Sequence, residues 1–355
     1  MPEGQRKYKV VVQKPEGITF DLADSQYKLE REALDEVGAE IIEVPAKTEE
    51  EFIKAARDAD GVIARGRRIS AKIIEGLDKA VVIGLGSVGA DSVDVGAATK
   101  KGIVVTNVPD VFIEEVADHT MAMFLAAHRR LKEMDQLVRA GNWRAGRPTY
   151  LSLPRLWGQT MGLISFGNVA TAVARRARPF GLHLIAYDPY ISELKMTAEG
   201  VEPVTSLIEL CERSDFLSMH APSTAETHKM LTEKHFNAMK RTALFINNGR
   251  GKTVDEPALI KALKEKRIAG AALDVFYDEP VDTENPLLHM PNVIVTPHIA
   301  SATARMMPET RRRLGREMAT VLSGRWPRSA VNPDVLPRTK LTRWQPFSMD
   351  RGPGG

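Results

Sequence analysis

Residues 158–190 constrain the fold more tightly than any other stretch. They read Gly158-Gln159-Thr160-Met161-Gly162-Leu163-Ile164-Ser165-Phe166-Gly167-Asn168-Val169-Ala170, then Leu182 to Asp188 after a helical stretch. A short apolar run meets a turn of small residues. Ala170, Val173, Ala174 and Ala177 then recur at helical spacing, and a second apolar run ends on Asp188. This strand, turn, helix, strand order is the frame of a dinucleotide site. Backbone N–H groups at the turn and the helix N-terminus can face a pyrophosphate. Asp188 stands roughly 20 residues on, where a carboxylate accepts hydrogen bonds from ribose hydroxyls. The pattern G-x-G-x-x-G reads Ser-Phe-Gly-Asn-Val-Ala here. Gly167 keeps the position of close approach, Ala170 is tolerated at the packing position, and Ser165 replaces the glycine of the tight turn. A βαβ unit without a ligand is the alternative.

A closer match, Gly84-Leu85-Gly86-Ser87-Val88-Gly89, follows an apolar run at 80–83. The strand after it, 103–106, ends in Asn107 rather than an acid. This loop suits a substrate carboxylate better than a pyrophosphate.

The alternation continues on both sides. Strands are expected at 8–13, 39–44, 61–64 and 81–83, with helices at 26–37, 48–56 and 71–77. A long helix is expected over 113–131, with Val116, Phe124 and Leu131 on one face. Residues 141–154 read as irregular, either an arm over a second subunit or a surface loop. Strands at 216–220, 243–246, 270–275 and 293–296 follow, with helices at 207–211, 233–239 and 256–264. A final helix from about 301 is expected to bury Met307, Leu314, Met318 and Val321, with Arg311, Arg312 and Arg313 in solvent. The predicted class is α/β, with parallel sheets covered by helices on both faces. Ligands in such sheets bind at the carboxyl ends of the strands. Arg250, Glu279 and His298 follow three consecutive strands there, and they are the parts needed for acid/base work on an anion. Arg65 and Arg67 follow an earlier strand, as a solvated basic loop or as partners of a substrate carboxylate.

The net charge of +3 requires neither nucleic acid nor a membrane surface as partner. The single cysteine, Cys211, excludes an intramolecular disulfide and suits a reducing cytoplasm. It reads as a packed small hydrophobe. No apolar run approaches the length needed to span a bilayer, the polar start is unlike a signal peptide, and no metal-type spacing is visible. Residues 331–355, rich in Pro, Arg and Gly, read as a flexible tail.

In combination, Val105-Thr106-Asn107-Val108-Pro109, Ala117-Asp118-His119-Thr120, Asn248-Gly249-Arg250-Gly251, the run from Gly270 to Phe276, Glu279-Pro280 and Thr296-Pro297-His298 resemble the NAD-dependent D-2-hydroxyacid dehydrogenase family. The resemblance covers about residues 8–333. It implies two Rossmann-like domains with the active site in the cleft between them: a substrate domain from 1–107 and 299–330, and an NAD-binding domain with a dimerisation arm from 108–298. It further implies a homodimer, NAD(H) as cofactor and a small 2-keto or 2-hydroxy acid as substrate. By position, His298 would be the acid/base, Glu279 its partner, raising the histidine pKa, and Arg250 the substrate clamp. Ser87, Val88 and Gly89 would meet the substrate carboxylate, with Arg65. Phe166, Gly167, Asn168 and Val169 would meet the pyrophosphate and Asp188 the ribose. His220, Pro222, Asn248, Gly249 and Asp274 match further cofactor contacts. The Ser-Val-Gly form is similar to glyoxylate/hydroxypyruvate reductases. The chain lacks the lysine of phosphite dehydrogenases at this loop and the glutamine of formate dehydrogenases at Glu279.

Two other functions fit parts of the pattern. Tyr187-Asp188-Pro189-Tyr190, Gly324-Arg325-Trp326-Pro327 and Val331-Asn332 resemble carboxy-terminal-binding-protein corepressors, which use NADH to drive assembly and partner docking. Ser165 also admits a pseudoenzyme that binds cofactor weakly, because its Cβ is disfavoured if φ is positive there.

Overall fold

The computed structural model describes residues 8–14, 27–151 and 153–342. The expected helix start at Gln26 and the tail beyond residue 342 lie outside the described residues. The chain divides into two compact units, Met1–Val111 with Ala304–Gly355, and Phe112–Thr303.

In the first unit, strands β1 (Tyr8–Gln13), β2 (Ala39–Val44), β3 (Gly61–Ile63), β4 (Val82–Gly84) and β5 (Val104–Thr106) form one sheet in the order β2-β1-β3-β4-β5. Every pairing is parallel, and this is a doubly wound order that reverses between β1 and β3. Both faces are covered. Val11 packs into one apolar layer with Val62, Ile73 and Ile83, and Val10 and Val12 pack into the other with Leu314 and Met318. Alternate side chains of a strand face opposite ways, so a strand buried on both sides reads as a continuous apolar run.

The helix Met306–Leu322 covers the second of these faces. It fits because Gly84 has no side chain: a Cβ there would lie 2.5 Å from Met318 Sδ and 2.6 Å from Leu314 Cδ1. The first glycine of the closer sequence match therefore serves helix packing. Two expectations for this helix are corrected. Met307 is 42% exposed rather than buried. Arg311 is 2% exposed rather than solvated, because Glu30, itself fully buried, accepts from its Nε at 2.8 and 3.0 Å. Gly315 lets the Glu30 backbone come that close, since a Cβ would meet the Glu30 carbonyl at 2.3 Å.

The expected flexible tail is corrected over residues 331–342. Asn332 is buried, accepts from the Val105 N–H at 2.8 Å, and donates to Ile103 O and Thr99 Oγ1, each at 3.0 Å. A 3₁₀ helix, Pro333–Arg338, then buries Val335. One asparagine satisfying otherwise orphaned strand-end groups outweighs the polar composition around it.

In the second unit, β6 (Thr160–Ile164), β7 (His183–Tyr187), β8 (Glu202–Pro203), β9 (Phe216–Met219), β10 (Leu244–Asn247), β11 (Gly270–Leu273) and β12 (Val293–Val295) form a sheet in the order β12-β11-β10-β9-β6-β7-β8. Counted from β6, this is the Rossmann order 3-2-1-4-5-6 with one strand more. All pairings are again parallel. Phe245 and Ile246, neighbours on β10, enter opposite apolar layers. Ala170, Val173, Ala174 and Ala177 are all fully buried on the face predicted for them. Both units are parallel-sheet α/β folds, as the alternation predicts.

The expected long helix is two. Ile113–His128 ends before Arg130, which takes a left-handed φ of 51° and caps a second helix, Leu131–Arg139. Leu131 therefore leaves the Phe124 face and is 54% exposed. The region read as irregular contains a short helix, Arg147–Leu151. Cys211 is fully buried in the core and burial pushes its thiol up to about 12, as fits a packed hydrophobe.

Candidate active site

In the second unit the singled-out residues follow the carboxyl ends of successive strands. Ser165 to Val169 follow β6, Asp188 follows β7, His220 follows β9, Asn248 to Arg250 follow β10, Asp274 follows β11 and His298 follows β12. The strand order reverses between β7-β6 and β6-β9, which is where open α/β sheets bind ligands.

The turn after β6 is bound to Asp188. Ser165 has a left-handed φ of 69°, the strained conformation that a non-glycine residue meets here. Such a residue costs about 1–2 kcal/mol. Its Oγ donates to Asp188 Oδ2 at 3.0 Å, and the Phe166 N–H donates to the same oxygen at 2.8 Å. The Tyr190 N–H donates to Oδ1 at 2.8 Å. Phe166 is thus engaged within the turn, with its ring fully buried. Gly167 is extended, with φ −80° and ψ −164°, and leads into the helix Asn168–Ala177. A Cβ on Gly167 would meet no protein atom within 4 Å. No neighbouring protein atom requires glycine there, so the space beside the helix N-terminus is open to a ligand. An anionic pyrophosphate fits that turn, where the N–H groups of the first helical turn lack intrahelical partners.

His220 Nε2 lies 2.9 Å from Ser218 Oγ, and its Nδ1 is buried without a protein partner. Burial lowers its pKa to about 4, so it is neutral at pH 7. Pro222 accepts at its carbonyl from Thr227 Oγ1. The Asn248 amide meets Thr120: its oxygen accepts from Thr120 Oγ1 at 3.0 Å and from the Thr120 N–H at 3.2 Å, while its nitrogen donates to Asn247 O. The carboxylate of Asp274, fully buried, accepts from Thr296 Oγ1 at 2.5 Å and from the N–H groups of Ile299 and Ala300 at 3.0 and 2.9 Å. His119 Nε2 adds a contact to Thr296 Oγ1 at 3.1 Å. Asp274 therefore braces the loop that carries His298, whose own N–H donates to the Asp274 carbonyl at 2.8 Å.

His298 is the second left-handed residue of this edge, with φ 52°. Histidine enters this region more readily than most residues. Its Nδ1 lies 2.7 Å from Glu279 Oε2, and Glu279 Oε1 accepts from the Phe276 N–H at 3.0 Å. The Glu279 hydrogen bond raises the His298 pKa against the opposing effect of burial. Burial works to raise Glu279, but the His298 hydrogen bond and the Phe276 N–H outweigh it and hold the carboxyl below its ordinary value. Arg250 donates from Nη1 to the Gly249 carbonyl at 2.9 Å and sits close enough to His298 and Glu279 to influence both charges. One loop thus presents a charge-stabilised imidazole and another a guanidinium, which is an arrangement for moving a proton to or from an anionic substrate.

The supporting roles of two residues, Gly251 and Glu256, are not legible in the sequence. A Cβ on Gly251 would lie 1.8 Å from the Phe276 carbonyl oxygen, so the loop bearing Arg250 packs directly on the loop bearing Glu279. Glu256, first residue of the helix Glu256–Lys264, accepts from the Tyr277 N–H at 3.0 Å and from Asn285 Nδ2 at 2.8 Å. An acid at a helix start signals capping in sequence, and nothing local marks its reach to Tyr277.

In the first unit, the loop after β4 is also pinned. Ser87 Oγ donates to Gly89 O at 2.7 Å, Asn107 Nδ2 donates to Val88 O at 2.7 Å, and the Val108 N–H donates to Ser87 O at 3.0 Å. Val88 is exposed. After β3, Arg65 is paired with Glu30 at 3.0 Å, while Arg67 donates to Gln13 Oε1 at 2.9 Å and Ala46 O at 2.7 Å. Neither arginine belongs to a fully solvated loop.

Comparison with known proteins agrees with the fold. The family model of the D-isomer specific 2-hydroxyacid dehydrogenase NAD binding domain matches residues 121–300. A glyoxylate reductase of Korarchaeum cryptofilum is 41% identical over 291 residues, covering 80% of this chain and 86% of the relative. A D-3-phosphoglycerate dehydrogenase of Methanocaldococcus jannaschii is 38% identical over 317 residues, 89% of this chain but only 60% of that longer protein. The crystal structure of an NADPH-dependent glyoxylate/hydroxypyruvate reductase from Sinorhizobium meliloti, in complex with NADP and malonate, superposes with a TM-score of 0.76 at 30% identity, covering 93% of this chain and 98% of that one. The protein is an oxidoreductase with a nicotinamide dinucleotide cofactor, and its chain belongs to the D-isomer specific 2-hydroxyacid dehydrogenase family.

Proposed function

We propose that this protein reduces a small 2-keto acid of the glyoxylate or hydroxypyruvate kind with NADH, and oxidises the corresponding 2-hydroxy acid in reverse. The observation that carries this reading is the His298–Glu279 pair at 2.7 Å, with Arg250 acting on the same two charges. When bound, the nicotinamide supplies the hydride. His298 gives its Nε2 proton to the ketone oxygen, and Nδ1 remains on Glu279. Keto acid, NADH and one proton become hydroxy acid and NAD⁺. The raised His298 pKa keeps the imidazole protonated further into the neutral range, which favours reduction there. Arg250 holds the substrate carboxylate and polarises the carbonyl where negative charge develops.

Gly167, Asn168 and Val169, behind the turn held by Phe166, take the pyrophosphate in this reading. Asp188 takes the ribose. His220, Pro222, Asn248, Gly249 and Asp274 line the remainder of the cofactor site. A carboxylate at 188 repels a 2′-phosphate, so the preferred cofactor is NAD(H) rather than NADP(H), unlike the NADPH-dependent relative. Ser87, Val88, Gly89 and Arg65 are assigned to the substrate carboxylate, and the first unit to substrate binding. The exposed Leu131, Val138, Trp143, Leu151 and Trp157 supply the apolar surface of a homodimer. The test is loss of NADH absorbance with glyoxylate, hydroxypyruvate, pyruvate and phenylpyruvate. Turnover of at least one of the small acids is expected. No turnover with any would sink the proposal.

A further inference from the structure

Ser165 stands where the dinucleotide turn normally has glycine, and it keeps a glycine-like φ of 69° at a conformational cost. What the serine adds is its hydroxyl, which reaches Asp188 Oδ2 at 3.0 Å. The Phe166 N–H takes the other lone pair of that oxygen at 2.8 Å. The Tyr190 N–H takes one lone pair of Oδ1 at 2.8 Å. A carboxylate offers about four acceptor directions. Three are therefore filled by the protein, and the one left is on Oδ1. The Ser165 N–H also donates to the Tyr187 carbonyl at 2.8 Å, so the residue ties the end of β6 to the end of β7 through backbone and side chain together.

We propose that Ser165 is a positioning residue for Asp188. Its hydroxyl fixes the carboxylate plane so that Oδ1 presents a single preset acceptor to a ribose hydroxyl of NADH. This deepens the assignment of Asp188 to the ribose and rests on it. A glycine at 165 would relieve the backbone, but the carboxylate would then rest on two backbone N–H groups alone. The strained serine is therefore a specificity device in the turn.

NADH and NADPH are titrated separately into the full-length wild type, Ser165→Ala and Ser165→Gly, following fluorescence of the bound nicotinamide, with thermal melting of each ligand-free protein. Ser165→Ala keeps the Cβ and removes the hydroxyl. Its Kd for NADH is expected to rise about fivefold, the size of one net hydrogen bond. NADPH binding changes less, so the ratio of the two constants narrows. Ser165→Gly is expected to melt higher than Ser165→Ala, because the left-handed strain is gone, while still binding NADH more weakly than wild type. In an Asp188→Ala background, Ser165→Ala is expected to have no further effect on NADH. The inference is overturned if Ser165→Ala binds NADH as tightly as wild type or tighter, since the hydroxyl would then be idle or competing with the ribose. It is equally overturned if the fivefold loss persists without Asp188. A wild type that prefers NADPH would instead remove the NAD reading underneath, an outcome visible before any variant is made.

Discussion

His298 and Glu279 share one hydrogen bond, and their two pKa values move apart because of it, the imidazole up and the carboxyl down. Replacing Glu279 by Gln removes the charge that raises His298. The reduction rate, measured as kcat/KM against pH, is then expected to fall off at lower pH than in wild type, because reduction needs the protonated imidazole. An unmoved profile would mean that Glu279 does not set the histidine. Replacing His298 by Ala is expected to lower kcat about 10²- to 10⁴-fold, with NADH binding retained. At this scale the grouping of His298, Glu279 and Arg250 was legible because each follows a strand end in an α/β chain. The groups that hold them were not. Glu256 reaches Tyr277 across 21 positions, and Arg311 finds Glu30 across 281. A buried partner that distant leaves no local pattern, so a run of three arginines reads as a solvated face.

Elements were legible where burial imposes a period. Strands covered on both faces read as apolar runs, and the helix after the dinucleotide turn read correctly at four of its five buried alanine and valine positions, Ala172 being the fifth. Breaks were less legible. Nothing in Arg129-Arg130 announces a left-handed residue, yet Arg130 turns the expected long helix into two. The contact of the Arg250 loop with the Glu279 loop likewise depends on a missing side chain. Gly251→Ala places a Cβ 1.8 Å from the Phe276 carbonyl oxygen. Backbone must move, and a loss of about 1–3 kcal/mol in denaturant unfolding is expected. Activity should fall further than stability explains, because the groups proposed to react lie on both loops. A variant with wild-type stability and rate would contradict this packing.

For the whole molecule, histidines pull stability in two directions with pH. His128, His220 and His235 have pKa values lowered by burial, so the unfolded chain binds more protons below about pH 6.5 and stability rises with pH through that window. His298 has the opposite sign: its contribution is complete below its unfolded value and is lost as pH rises through its folded value. The lowered group is larger, so the Tm is expected to drop between about pH 7 and about pH 5. His128 stacks on Phe124 and meets Phe216 edge to face, with Nε2 unpartnered, and His128→Leu should reduce that drop. The proposed dimer is checked by light scattering, where Trp143→Asp with Trp157→Asp is expected to shift the species toward monomer. No helix among the described residues is long and apolar enough to cross a membrane. The most direct test of the central claim uses NADH deuterated at the transferring position with hydroxypyruvate, followed by mass spectrometry and chiral separation of the glycerate. One deuterium at C2 of the D isomer, formed about 10²- to 10⁴-fold more slowly with His298→Ala, is the predicted result; unlabelled product, or label in the L isomer, would contradict hydride transfer by this site.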